Sequence, residues 1–197
     1  MHGLVNRSIQ GFIQDTYGAP AWGEICREAA LGFDSFETML IYDDSLTEAV
    51  LSAACKRLDR SRDGLLEDMG TWLVSHPDLH PLRRLLRFGG DTFQEFLHSL
   101  DDLHDRARLA LPELDFPQLE LREFAPGAYS LTYRWKHRGF GAMVLGVIRA
   151  MADDYGALVL LERDSRHEGG GDIDRITISL LDAAFARGRS FELGAGR

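Results

Sequence analysis

The chain has 197 residues, 45% of them hydrophobic and 27% charged, with a formal net charge of −9 at pH 7. That length suffices for one sizeable core in one domain, and the acidic balance argues against a nucleic-acid partner, which favours a basic surface. No apolar run reaches the roughly 18 residues of a membrane span; the start "MHGLVNRSIQGF" lacks the basic region and apolar stretch of a signal peptide, so a cytoplasmic location is expected.

The first two thirds read as helices. Residues 5–17 carry apolar side chains at Val5, Ile9, Phe12 and Ile13, a helical spacing. A break at "YGAP" precedes a second helix over residues 21–30. "YDDSLTEAVLSAACKRL" gives a third, with Ser45 as N-cap and Glu48 completing a capping box. "SRDGLLEDMGTWLVSH" continues the pattern, and "PDLHPLRRLLRF" is a short helix opened by prolines. Its "RRLLR" is either a local basic patch or a solvated helix face. A long helix is expected from about residue 91 to 110, stopped by Pro112 and Pro117. Cys26 and Cys55 fall in predicted helices and are too few for a structural zinc site of their own.

The last third changes period. "QLELREFAPG", "AYSLTYRWK", "ALVLLERDS" and "DIDRITISLL" read as strands. In the second, Tyr129, Leu131, Tyr133, Trp135 and His137 share one face. "PGA" is the turn of a hairpin, "FGAMVLGVIRAMADDYG" a helix closed by Gly156, and "RHEGGGD" a loop between antiparallel strands. The expected fold is α+β: an N-terminal helical layer packed on a C-terminal, roughly four-stranded, mostly antiparallel sheet with an intervening helix. Residues 1–185 form the domain and residues 186–197 a frayed tail.

Candidate chemistry centres on His104. Phe93, Phe96, Leu97, Leu100, Leu103, Ala107 and Leu111 make one apolar stripe, and His104 falls on it, so its imidazole points inward and needs a partner. Spacing alone leaves two readings: a core histidine bonded to a backbone carbonyl, or an iron ligand. Zinc needs three or four converging ligands, and neither HExxH nor CxxC is present; haem iron needs one protein ligand. Haem propionates need donors, and "YRWKHR" offers the Tyr133 hydroxyl, the Trp135 indole N–H and the His137 imidazole; Tyr133 and Trp135 are equally explained as core packing. "GGG" is not a phosphate loop, "DID" is either a cation site or a solvated pair, and no GxSxG elbow points to an enzyme.

Together "MHGLVNRSIQGFIQDTYG", "YDDSLTEAVLSAA", "LLRFGGDTFQEFLHSLDDLHDRARLALPEL", "GFGAMVLGVIRAMA" and "GGGDIDRITISLL" resemble, in order, the haem-nitric oxide/oxygen-binding (H-NOX) domains, bacterial relatives of the sensor domain of soluble guanylate cyclase. The resemblance implies haem b as cofactor, His104 as proximal iron ligand and Pro117 as the proximal-side proline that presses on the porphyrin. It aligns the family's Tyr-x-Ser-x-Arg propionate clamp with Tyr133, Trp135 and His137, of which only the tyrosine is kept. Arg138 is next door, but strand alternation points it to the other face. Losing charge-assisted bonds costs about 1.5–3 kcal/mol each, so weaker haem binding is expected, or a pocket in which Trp135 fills the propionate end and haem is absent or replaced by another ligand. The pocket wall implied is Val5, Phe12, Leu73, Val74, Ala142, Met143 and Leu145, with no distal tyrosine. That implies a nitric oxide sensor and no enzyme activity. Its signal would pass in trans to a histidine kinase or a cyclic-nucleotide or cyclic-di-nucleotide enzyme, since the sequence holds no kinase or cyclase segment.

Overall fold

The computed structural model describes residues 1–110, 112–168 and 171–189. Four helices come first: α1 (Gly3–Tyr17), α2 (Ala19–Glu28), α3 (Asp44–Leu58) and α4 (Arg62–Ser75). A 3-10 turn over Pro77–Leu79 leads into α5 (His80–Arg87). Ile9, Phe12 and Ile13 of α1 are buried as their spacing requires. The third helix starts differently from expectation. Asp43, not Ser45, is the N-cap, accepting from the Ser45 N–H at 2.8 Å. Glu48 completes no box; its carboxylate forks onto Arg62 at 2.7 and 2.8 Å.

The single helix expected over residues 91–110 is two, α6 (Phe93–His98) and α7 (Leu103–Ala110). Thr92 and Glu95 form a reciprocal capping box that starts α6. Between the helices, side chains compete with the backbone ladder. Ser99 Oγ donates to the Phe96 carbonyl at 2.7 Å, and the Asp101 carboxylate accepts from the Leu121 N–H at 2.7 Å. Arg106 reaches back to the Ser99 carbonyl at 2.8 Å. The apolar stripe survives the break, because Phe93, Phe96, Leu97, Leu100, Leu103 and Ala107 are all buried; Leu111 lies outside the described residues.

Strands β1 (Gln118–Ala125) and β2 (Ala128–Trp135) form the hairpin, with Gly127 at φ 76° in its turn. Helix α8 (Gly141–Tyr155) follows, then β3 (Leu158–Glu168) and β4 (Gly171–Asp182). The sheet order is β1-β2-β4-β3, and every pairing is antiparallel. The strands run further into "RHEGGGD" than expected; Gly169 and Gly170 lie outside the described residues. Of the tail, residues 186–189 are tied back, since the Ala186 N–H donates to the Gly156 carbonyl at 3.0 Å and that of Arg189 to the Asp154 carbonyl at 2.9 Å. Residues 190–197 lie outside the description. Among the described residues no helix is long and apolar enough to cross a membrane.

Helix α8 packs on α4 and on β3 and β4. Its approach to α4 is close because both helices present glycine. A Cβ on Gly146 would collide with the Glu67 carbonyl, and one on Gly70 with that of Met143. Gly146→Ala therefore forces the helices apart. It is expected to cost about 1–3 kcal/mol, despite alanine's better helix propensity. An unchanged urea midpoint would contradict this packing.

Candidate functional site

The helical layer and the sheet enclose an apolar cavity of about 210 Å³. Leu4 and Val5 of α1, Met69 and Leu73 of α4, Leu82 and Leu86 of α5, and Met143, Val144 and Val147 of α8 line it. Leu100 and Leu103, which flank the α6–α7 break, line it too, with Pro117, Leu119 and Trp135. Apart from Ser8, Asp115 and the indole N–H of Trp135, every lining side chain is apolar. Ser8 turns its hydroxyl to the Leu4 carbonyl at 2.9 Å, so that donor is spent within α1.

His104, in the first turn of α7, is half-buried and faces an open cleft of about 340 Å³ rather than the cavity itself. The two hollows share Leu114, Asp115 and Phe116 as a wall. His104 Nδ1 lies 3.4 Å from the Pro117 carbonyl. A carbonyl only accepts, so Nδ1 carries the proton and Nε2 keeps a lone pair for a metal.

A second, polar cleft of about 160 Å³ adjoins the cavity through Val5, Leu114, Asp115 and Trp135. His2, Lys136 and His137 also line it. His137 Nδ1 lies 3.4 Å from the Asp44 carboxylate. Burial nevertheless pushes the His137 imidazole below its usual pKa. Asp44 is held below the carboxylate range chiefly by its bond to the Met1 amino group. Lys136 pairs with Asp115 at 2.9 Å, which raises the lysine's pKa. The Trp135 ring meets His137 edge to face, with centroids 4.4 Å apart.

The residues expected at the site are only partly gathered there. Val5, Leu73, Met143, Pro117 and Trp135 line the cavity, and His137 lines the polar cleft. Phe12, Val74, Ala142 and Leu145 are buried but are not among the lining residues. Tyr133 is fully buried on the core face of β2 and lines neither hollow. Of "DID", Asp174 is buried and bound by Arg163 at 2.9 Å, which accounts for it as an ion pair. Among the described residues no group of three or more His, Cys, Asp or Glu side chains is arranged to hold a metal. His2 was not anticipated. Its only sequence signal is a polar residue preceding a helix, and its Nδ1 does accept from the Leu4 N–H at 3.1 Å to cap α1.

These features fit haem. An apolar cavity suits the macrocycle, an imidazole with Nε2 free suits the iron, and Trp135 Nε1, buried without an acceptor, suits an acid arm.

A family model described as Haem-NO-binding matches residues 2–162. "Soluble guanylate cyclase 89Db" of Drosophila melanogaster is 25% identical over 155 residues, 79% of this chain and 23% of its own length. "Soluble guanylate cyclase gcy-31" of Caenorhabditis elegans is 28% identical over 154 residues, 78% of this chain and 22% of its own length. The chain thus spans about a quarter of the length of these curated relatives. Among solved structures, the Fe(II) unliganded H-NOX protein from K. algicida gives a TM-score of 0.76 at 18% identity, over 92% of this chain and 97% of that one. An oxygen-binding H-NOX domain related to soluble guanylate cyclases gives 0.75 at 15% identity, over 96% of this chain and 100% of that one. These structures share the fold, helices and four-stranded antiparallel sheet together. By the match over residues 2–162 the chain belongs to the haem-NO-binding (H-NOX) family.

Proposed function

We propose that this domain is a haem-based nitric oxide sensor that signals to a separate partner enzyme. The observation that carries the reading is the apolar cavity beside an imidazole whose Nε2 is free to ligate. His104 would hold the iron of haem b, Pro117 would lie on the proximal side, and Trp135 and His137 would face the propionates. Haem held there would supply reversible ligation of a diatomic gas. Because Leu114, Asp115 and Phe116 separate His104 from the cavity, seating the cofactor requires that wall to shift.

The chain's own residues favour nitric oxide over oxygen. Bound oxygen is retained by a hydrogen bond from the pocket, whereas nitric oxide needs none. Val5, Leu73 and Met143 offer no donor, the Ser8 hydroxyl is committed to Leu4, and the remaining donor, the Trp135 indole N–H, is assigned to the propionates. Helix α7 carries the output. It is eight residues long, follows the break at residues 99–102, and moves with His104 as a unit. The kinship with guanylate cyclases supports a cyclic-nucleotide enzyme as partner; a histidine kinase or a cyclic-di-nucleotide enzyme follows from the sequence resemblance. The altered clamp, with His137 Nδ1 lying 3.4 Å from the Asp44 carboxylate, favours a second reading: weak or lost haem binding in an interaction module or a carrier of another ligand.

Spectra of the haem-reconstituted ferrous protein separate the gases. A nitrosyl complex under nitric oxide and no stable oxy complex under air are expected. A lasting oxy spectrum would overturn the preference for nitric oxide.

A further inference from the structure

The polar cleft beside the cavity holds two N–H donors without acceptors. Trp135 lines both hollows, and its Nε1 is buried with nothing to bind. Native interiors keep few such groups. His2 is 7% exposed and lines the same cleft. Its Nδ1 accepts from the Leu4 N–H at 3.1 Å, so the neutral ring carries its proton on Nε2. That N–H makes no hydrogen bond among the described residues.

The other charged groups of the cleft are accounted for. Asp115 is paired with Lys136 at 2.9 Å, His137 faces Asp44 at 3.4 Å, and the Met1 ammonium is bound by Asp44 and by the Tyr42 carbonyl at 2.7 Å. Glu113 lines the cleft but is exposed to solvent. What is left at the border of the apolar cavity is an indole N–H and an imidazole N–H. Together they suit a carboxylate on an otherwise apolar ligand.

We propose that Trp135 Nε1 and His2 Nε2 bind the carboxylate arms of haem, taking the place of the serine and arginine of the Tyr-x-Ser-x-Arg pattern. This rests on the haem reading above. Neither donor is a permanent cation, so the anchor is weaker than a guanidinium fork.

The test is a haem titration of the full chain, run in parallel with the dimethyl ester of haem, which lacks the acid arms. Trp135→Phe removes the N–H and keeps the aromatic packing. His2→Asn keeps an N-cap acceptor for α1 and withdraws the imidazole N–H. Each substitution is expected to weaken haem binding about tenfold and to leave ester binding at the wild-type value. Unchanged haem affinity, or equal losses for haem and ester, overturns the anchor and leaves the haem reading standing. Failure of the wild-type chain to bind either ligand removes the haem reading and the anchor with it.

Discussion

His104→Gly is expected to abolish the five-coordinate ferrous spectrum of the haem-reconstituted protein while leaving the chain folded. The imidazole contributes little to stability. It is half-buried, and its hydrogen bond to the Pro117 carbonyl is long at 3.4 Å. Glycine within α7 costs about 1 kcal/mol in helix propensity, small against the roughly 5–15 kcal/mol that holds a domain together. The effect on ligation is all or none, because His104 is the protein ligand proposed for the iron. Free imidazole added to the variant should restore the spectrum by entering the vacated space. An unchanged spectrum would mean that another residue holds the iron.

Asp154→Ala is expected to destabilise the domain by about 3–5 kcal/mol, the usual cost of stranding a buried charge. The Asp154 side chain is 1% exposed. It accepts from Arg83 Nε at 2.9 Å and Nη2 at 2.8 Å, and Arg87 Nη1 lies 3.5 Å away. The Arg87 guanidinium also sits 3.8 Å over the Tyr155 ring. Tyr155 donates its hydroxyl to the Gly90 carbonyl at 2.8 Å, and burial pushes its phenol up to about 12. Removing the carboxylate leaves two largely buried guanidiniums without it. The network pins α5 to the end of α8, and α5 supplies Leu82 and Leu86 to the cavity, so haem affinity should fall as well. Urea denaturation measures the first effect; a loss under about 1 kcal/mol would place the arginines in solvent instead.

Much of the architecture was legible because local and tertiary demands agree. The spacing of Ile9, Phe12 and Ile13 and the alternation of Tyr129, Leu131 and Tyr133 put the same residues inside that the fold buries. Misreadings arose where a distant group decided the outcome. Residues 99–102 look helical, but Asp101 is drawn to the Leu121 N–H of β1. The "RRLLR" run looks like a solvated patch, yet Arg83 and Arg87 turn in to Asp154 while Arg84 stays exposed.

The site was less legible than the fold for the same reason. Helical spacing puts His104 on the apolar stripe, but which hollow it faces depends on the chain at Leu114, Asp115 and Phe116. Periodicity marks Phe12 and Val74 as inward-facing without saying whether they meet a cavity or other side chains. His2 becomes a candidate donor only when the Leu4 N–H fixes its tautomer.

The decisive measurement is an absorbance titration of the purified chain with haem. A Soret band that saturates at a single haem per chain is the expected result, with the ferrous form five-coordinate through His104. No Soret change at micromolar haem, from a chain shown to be folded, would contradict a cofactor seated in the apolar cavity.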